Sequence, residues 1–282
     1  CCWPPFSLSE KIVDQIRAIT KKLALACGIR GLLNIQYAVR DEHVFVIELN
    51  PRASRTVPFS SKATGVSLAK YASRIMAGEK ISELRAQGLL PDENRTVDYY
   101  AVKEAVMPWS RFPGADSILG PEMKSTGEVM GIARTFPAAY AKTREAVENK
   151  LPEQGSVFIS VCDRDKRAIA PVAMALENLG YGIYTTGGTA KTLRAAGIDC
   201  TTVNRISDGH PNVVDLMRDK TVSFIINTPH GHEAHSDGTK MRAEAVSQGI
   251  TCVTAMSAAT ALIQALAAAR KSEPETFALQ DL

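Results

Sequence analysis

No stretch of this 282-residue sequence stays apolar long enough to cross a bilayer, so no membrane association is expected. An excess of one charge is also missing: 33 Lys and Arg against 30 Asp and Glu leave a net charge of +3. That is too little to argue for nucleic acid or a membrane surface as a partner. The six cysteines, Cys1, Cys2, Cys27, Cys162, Cys200 and Cys252, fall at no metal-like spacing. They read as reduced thiols of a cytoplasmic protein. A signal-peptide pattern is absent, and the first residue is Cys1 rather than Met, so the chain is expected to be a piece of a longer one. What is present is an ordinary globular composition, 45% apolar and 22% charged, in a length suited to one large or two medium domains.

The chemistry concentrates first between Gly31 and Gly65. Leu33, Ile35, Tyr37 and Val39 alternate with polar residues, Arg40 to His43 carry a turn, and Val44 to Leu49 return as a second strand. Matching apolar faces sets Tyr37 opposite Ile47 and Val39 opposite Phe45, which places Gln36 across from Glu48. Glu48 and Asn50 lie two apart and share a face. Gln36, Glu48 and Asn50 thus form either a three-oxygen site for a hard cation such as Mg²⁺ or a merely solvated polar face. Arg52 and Arg55, just beyond, suit a planar anion. His43, in the turn, reads as an exposed polar residue.

Around this hairpin, Ser7-Leu8-Ser9-Glu10 is a capping-box pattern opening a helix that Gly28 ends. Ser67 to Met76 is again helical, Tyr99 to Val106 is a candidate strand, and Pro137 to Asn149 a helix. Gly120 to Gly131 carries too many turn residues for a simple element. After a linker at Leu151 to Gly155 the texture changes to strands alternating with helices, the mark of a parallel α/β sheet. Expected strands are Ser156–Cys162, Gly182–Thr185, Cys200–Val203, Val222–Asn227 and Ile250–Thr254. Ligands of such sheets bind beyond the carboxyl ends of the strands. There the turn Thr185-Thr186-Gly187-Gly188-Thr189 is either an anion cradle or a Gly-rich turn with an N-cap threonine. Lys166 and Arg205 add charge nearby. His230, His232 and His235 invite a zinc reading, but no fourth ligand has suitable spacing.

The segment NIQYAVRDEHVFVIELNPRASRTVPFSSKATG closely resembles the end of the second ATP-grasp module of the carbamoyl phosphate synthetase large-chain family. The resemblance continues through AVKEAVMPWSRFPGADSILGPEMKSTGEVMGIARTF and then into a regulatory domain of the methylglyoxal-synthase-like fold. It implies a fold of a partial α+β ATP-grasp lobe followed by a Rossmann-like parallel α/β domain. The implied division is 1–77, 78–150 as a connecting segment, and 151–282 as the allosteric domain.

In that family the resemblance implies that Gln36, Glu48 and Asn50 hold two Mg²⁺ or Mn²⁺ ions on ATP, which decides against a merely solvated face. Arg52 and Arg55 match arginines near the transferred phosphate and carbamate. Glu104 matches a residue that some members use to contact the activator ornithine. Lys166, Thr186, Thr189, Arg205 and Asn227 match positions that hold a nucleotide effector such as UMP or IMP. Arg205 stands where the best-known bacterial pattern has Lys, Pro229 where it has Thr, and Cys252 where the ornithine-responsive version has Tyr. The resemblance further implies carbamate phosphorylation for pyrimidine and arginine biosynthesis, a glutaminase small subunit and an oligomer. The fragment alone is expected to be inactive. The alternatives are a methylglyoxal synthase-type lyase and a stand-alone nucleotide-sensing module; the Ser207 to Asn212 segment lacks the lyase's GGDQQ-like stretch.

Overall fold

The computed structural model describes residues 1–91, 97–111, 125–147, 152–228, 234–271, 275–276 and 278–281. The chain packs as two compact units, one formed by Cys1–Val102, Ile132–Phe136 and Glu275–Leu282, the other by Lys103–Gly131 and Pro137–Pro274.

The first unit opens with β1 (Cys2–Trp3) and α1 (Glu10–Ala26). The helix starts two residues later than the capping-box pattern requires. Ser9 rather than Ser7 is the N-cap, and its side chain makes no capping bond. The end is as expected: Gly28 takes φ 60°, and Gly28 and Ile29 donate their N–H groups back to Leu25 and Ala24. Strands β2 (Asn34–Arg40) and β3 (His43–Asn50) form the hairpin, turning through Asp41 and Glu42, both with positive φ. A helix that the local sequence does not announce, α2 (Thr56–Thr64), follows the arginines. Pro58 lies in its first turn, where a missing N–H costs nothing, and Gly65 closes it with φ 69°. Then come α3 (Leu68–Met76) and α4 (Ile81–Ala86). The apolar centre gathers Phe59, Ala63, Val66, Ala72, Leu84 and Tyr99, with the Tyr99 hydroxyl donating to the Ala63 carbonyl at 2.7 Å.

Strand β4 (Tyr100–Val106) lies between β1 and β5 (Gly127–Ala133) in a three-stranded sheet, and α5 (Phe136–Ala146) follows. The turn-rich reading of Gly120 to Gly131 is corrected here, since its last five residues are strand. Gly131 is not a turn residue but a close-approach residue: a Cβ there would sit 2.2 Å from the Ala139 carbonyl oxygen of α5. The first part of that segment lies outside the described residues.

The rest of the second unit alternates regularly. It runs β6 (Ser156–Val161), α6 (Lys166–Asn178), β7 (Gly182–Thr186), α7 (Gly187–Ala195), β8 (Thr201–Val203) and α8 (Val213–Arg218). It ends with β9 (Phe224–Thr228), α9 (Ala234–Ser247), β10 (Thr251–Val253) and α10 (Met256–Ala269). The five strands are all parallel, in the order β10-β9-β6-β7-β8. Period-two alternation sorts the core into two layers. Val157, Ile159, Phe224 and Ile226 face α6, α7 and α10 through Ile169, Leu176, Leu193, Ile263 and Leu266. Phe158 and Ile225 face α8 and α9 through Val213, Met217, Met241 and Ala245. Strand order reverses between β6 and β9, which makes the crevice at their carboxyl ends the natural ligand position.

Candidate functional site

Two groups of candidate residues emerge, one in each unit. In the hairpin, Gln36 stands directly opposite Glu48 and Asn34 opposite Asn50, so the polar end has the expected register. The apolar end does not. A β-bulge between Gln36 and Tyr37 pairs Tyr37 with Val46 and Val39 with Val44, leaving Ile47 as the extra residue. The expected Tyr37–Ile47 and Val39–Phe45 pairs are therefore wrong by one residue. The physical reason is anchoring: the Tyr37 hydroxyl is held 2.7 Å from the Thr20 hydroxyl of α1, which itself donates to the Ile16 carbonyl.

Beyond the bulge, Glu48 and Asn50 do share a face, and the Asn50 amide donates to Glu48 Oε1 at 2.9 Å. Gln36 and Glu48 are exposed. The three side chains offer oxygen donors and one carboxylate, which fits a hard divalent cation that takes its remaining ligands from phosphate or water. The Asn50 amide would reverse to present Oδ1, a rotation its exposed surroundings permit. His43 is exposed, its Nδ1 lying 2.7 Å from the Asp41 carbonyl within the turn. Arg52 and Arg55 are both exposed, and neither has a carboxylate partner among the described residues. Arg52 is held by a bond from Nη1 to the Ala53 carbonyl, and its backbone N–H donates to Asn50. Arg55 is the N-cap position of α2.

In the second unit, the residues expected around a nucleotide sit at the carboxyl ends of four neighbouring strands. Lys166 is the first residue of α6 after β6, Thr186 ends β7, Thr189 lies in the first turn of α7, and Asn227 is near the end of β9. Arg205 follows β8 and is exposed. The Thr-Thr-Gly-Gly-Thr segment is not a separate turn: β7 runs to Thr186 and α7 begins directly at Gly187. The backbone N–H groups of Gly187, Gly188 and Thr189 are those of a helix first turn, which have no partner within the helix. Thr186 is the N-cap but makes no side-chain capping bond, so its hydroxyl is not consumed as a cap. It lies 3.3 Å from the Ser160 hydroxyl instead. Thr189 is buried and accepts from the Val161 N–H at 3.4 Å.

Lys166 Nζ pairs with Asp163 at 2.5 Å and is about a quarter exposed. A Cβ added at Gly188 would come 3.6 Å from that Nζ, so the ammonium hangs over the first turn of α7. Asn227 is buried, and its Nδ2 donates to the Ser160 carbonyl at 3.0 Å. Ser160 is a participant that strand periodicity alone does not reveal. It meets Thr186 through its hydroxyl and Asn227 through its carbonyl, and only the sheet order β9-β6-β7 brings those three together. Beside them, the Cys162 thiol donates to Asp165 at 3.1 Å, and that bond, with the nearby Thr228 hydroxyl second, holds the carboxyl below the usual range. Pro229, His230 and His232 lie outside the described residues, as does the side chain of His235, so the zinc reading has no geometry. Among the described residues, no cluster of three His, Cys, Asp or Glu side chains has metal-binding geometry.

Glu104, on β4, is engaged internally. Arg144 Nη1 pairs with its Oε1, Thr143 donates to its Oε2 at 3.1 Å, and Arg144 Nη2 donates to the Thr251 hydroxyl at 3.3 Å. Burial, and secondarily the Glu104 charge, push the Tyr140 phenol upward.

Two family models match this architecture. The carbamoyl-phosphate synthase L chain, ATP binding domain, covers residues 3–84, and the MGS-like domain covers 168–254. The chain thus joins part of an ATP-binding lobe to a parallel-sheet domain of the MGS type. Similarity to curated relatives extends beyond both matches. The carbamoyl phosphate synthase large chain of Pseudomonas putida is 46% identical over 100% of this chain and 26% of its own length. That of Acidobacterium capsulatum is 45% identical over 99% and 26%. The C-terminal section of the large chain from Aquifex aeolicus is 43% identical over 96% of this chain and 53% of its own. The chain therefore spans about a quarter of the full-length relatives. It belongs with the carbamoyl phosphate synthase large chains, as a C-terminal part of one.

Proposed function

We propose that this chain supplies the metal-and-anion edge of an ATP-dependent carbamate kinase site, together with a nucleotide-responsive domain, in a carbamoyl phosphate synthase. The proposed division is 1–77 as the C-terminal part of the ATP-grasp domain, 78–150 as the connecting segment and 151–282 as the allosteric domain. One observation carries the reading: Gln36 faces Glu48 across the hairpin, Asn50 lies beside Glu48, and two exposed arginines follow at once. Gln36, Glu48 and Asn50 would hold the Mg²⁺ or Mn²⁺ ions of bound ATP. A cation there neutralises charge on the transferred phosphoryl group. Arg52 and Arg55 present their donors to the transferred phosphate and to carbamate, so that the short-lived carbamate is held in line for transfer. With no carboxylate partner among the described residues, they are available to an anion.

In the second unit, Lys166, Thr186, Thr189, Arg205 and Asn227 would bind the phosphate and ribose of UMP, IMP or a related nucleotide. The full assembly would include a glutaminase small subunit and be cytoplasmic; among the described residues, no helix is long and apolar enough to cross a membrane. The lyase alternative has less support, because the similarity to large chains runs through the hairpin as well as the sheet.

Calorimetry on the 282-residue chain tests the second half: UMP or IMP should give a saturable heat that Lys166→Ala weakens at least tenfold, since a hydrogen bond to a charged group contributes about 1.5–3 kcal/mol. No heat with any nucleotide would overturn it. For the first half, Arg52→Ala in a full-length large chain carrying this segment should lower carbamoyl phosphate formation by roughly 10²-fold without changing Tm. The isolated chain should show no bicarbonate-dependent ATP hydrolysis.

A further inference from the structure

We infer that Arg242 of α9 is a positioning residue that sets the orientation of Asn227 at the carboxyl end of β9. Its consequence for ligand binding rests on the nucleotide reading above; its geometry does not. Arg242 is fully buried, the largest side chain among the described residues to be so. Its Nη1 lies 3.5 Å from Asn227 Oδ1, and its Nη2 donates to the Thr239 hydroxyl at 3.4 Å. On the other side of the same amide, Nδ2 donates to the Ser160 carbonyl.

A primary amide is nearly symmetric in shape, so its neighbours decide which end is oxygen. A guanidinium can only donate and a backbone carbonyl can only accept. Reversing Asn227 would set nitrogen against guanidinium and oxygen against carbonyl, losing both bonds inside a buried site. With Arg242 in place, one Nδ2 hydrogen is committed to Ser160, and the second has no partner among the described residues. That hydrogen is the one available to an oxygen of a bound nucleotide. Without Arg242 the amide is held from one side only.

The helix is shaped to admit the guanidinium. Gly238 is buried within α9, where Gly is disfavoured relative to Ala, and a Cβ there would come 2.8 Å from Arg242 Nη1. Gly238→Ala therefore offers a way to displace the guanidinium without removing its charge. No local sequence pattern points to this arrangement, because residues 227, 238 and 242 meet only through the packing of α9 beside β9.

The test uses the ¹⁵N-labelled 282-residue chain. In the absence of nucleotide, the Asn227 side-chain amide should exchange with solvent at least tenfold faster in Arg242→Met and in Gly238→Ala than in the unmodified chain. By calorimetry, Arg242→Met should weaken UMP binding about tenfold, yet cause no further loss when added to Asn227→Ala. A merely structural arginine would give additive losses, and unchanged amide exchange in both variants would equally overturn the inference. Should Arg242→Met fail to fold, Gly238→Ala carries both measurements. Should the unmodified chain bind no UMP, the nucleotide reading fails while the exchange measurement still decides the role of Arg242.

Discussion

In strand β6 of the parallel sheet, Val157, Phe158 and Ile159 are wholly buried; in strand β3 of the hairpin, Phe45, Val46 and Ile47 are 52%, 44% and 63% exposed. Both strands carry candidate ligand residues, but they support them differently. Ser160, Thr186, Thr189 and Asn227 are bonded to one another or to neighbouring backbone within a sheet covered on both faces by helices. Gln36, Glu48 and Asn50 project from a two-stranded ribbon tied to α1 through Tyr37 and Thr20. A two-stranded ribbon is marginal by itself, and its exposed apolar residues form the kind of surface that further protein covers. The sheet domain orders its candidate residues from within, whereas the hairpin leaves its own in solvent.

The first way to break this contrast is Gly131→Ala. Its Cβ would collide with the backbone of α5, so the second unit should lose about 3 kcal/mol, read as a lower urea midpoint. A tolerated alanine would show that the close packing of β5 on α5 is dispensable. Next, Arg144→Ala removes the cation from Glu104 and the bond to Thr251. Arg144 is buried and Glu104 about a quarter exposed, so the expected loss is roughly 2–3 kcal/mol, somewhat below that for breaking a fully buried pair. An unchanged midpoint would reduce the Arg144–Glu104 contact to a surface ion pair.

A smaller effect concerns acid. Asp215 accepts from His210 and then from the Asn212 N–H, and both hold its carboxyl below the ordinary value. A carboxyl lowered in the folded state stabilises fully above the unfolded pKa of about 3.9, and the contribution disappears as pH falls through the folded value. Tm of the unmodified chain should therefore drop more steeply below pH 4 than that of Asp215→Asn. Parallel curves would remove Asp215 from the account. Smallest of all, Ile47→Thr should change stability by no more than about 0.5 kcal/mol, because the side chain is already in water. A large loss would mean that the hairpin is as tightly packed as the sheet.

Much of this was legible from residue order. The five parallel strands could be read from their apolar runs; Gln36 opposite Glu48 was reached by matching apolar faces, although the Tyr37 and Val39 pairs used for the match are each displaced by the bulge. What escaped was decided at a distance. The bulge at Ile47 comes with the tie between Tyr37 and a helix seventeen residues earlier, which no strand pattern contains. Helix α2 is obscured by Pro58, harmless in a first turn but indistinguishable by composition from a loop residue. Gly131 looks like turn chemistry and is a contact with α5. Ser160 and Arg242 join the candidate site only after the sheet has chosen its strand order. The nucleotide-site residues themselves were named through family likeness; periodicity located the strand ends without saying which side chains there meet.

The bulge at Ile47 also separates the hairpin into two independent gauges. From Asn34 to Gln36 the pairing counts against Asn50 to Glu48, and from Tyr37 onward it counts one residue differently against Val46 to His43. The extra residue absorbs a mismatch that a regular ladder would pass straight from the turn to Gln36 and Glu48, turning each side chain to the opposite face. The tip at Asp41 and Glu42 is thus free to change in length or residue type while Gln36 and Glu48 keep their aim, which makes it a permissive place to insert a reporter without disturbing that end of the hairpin.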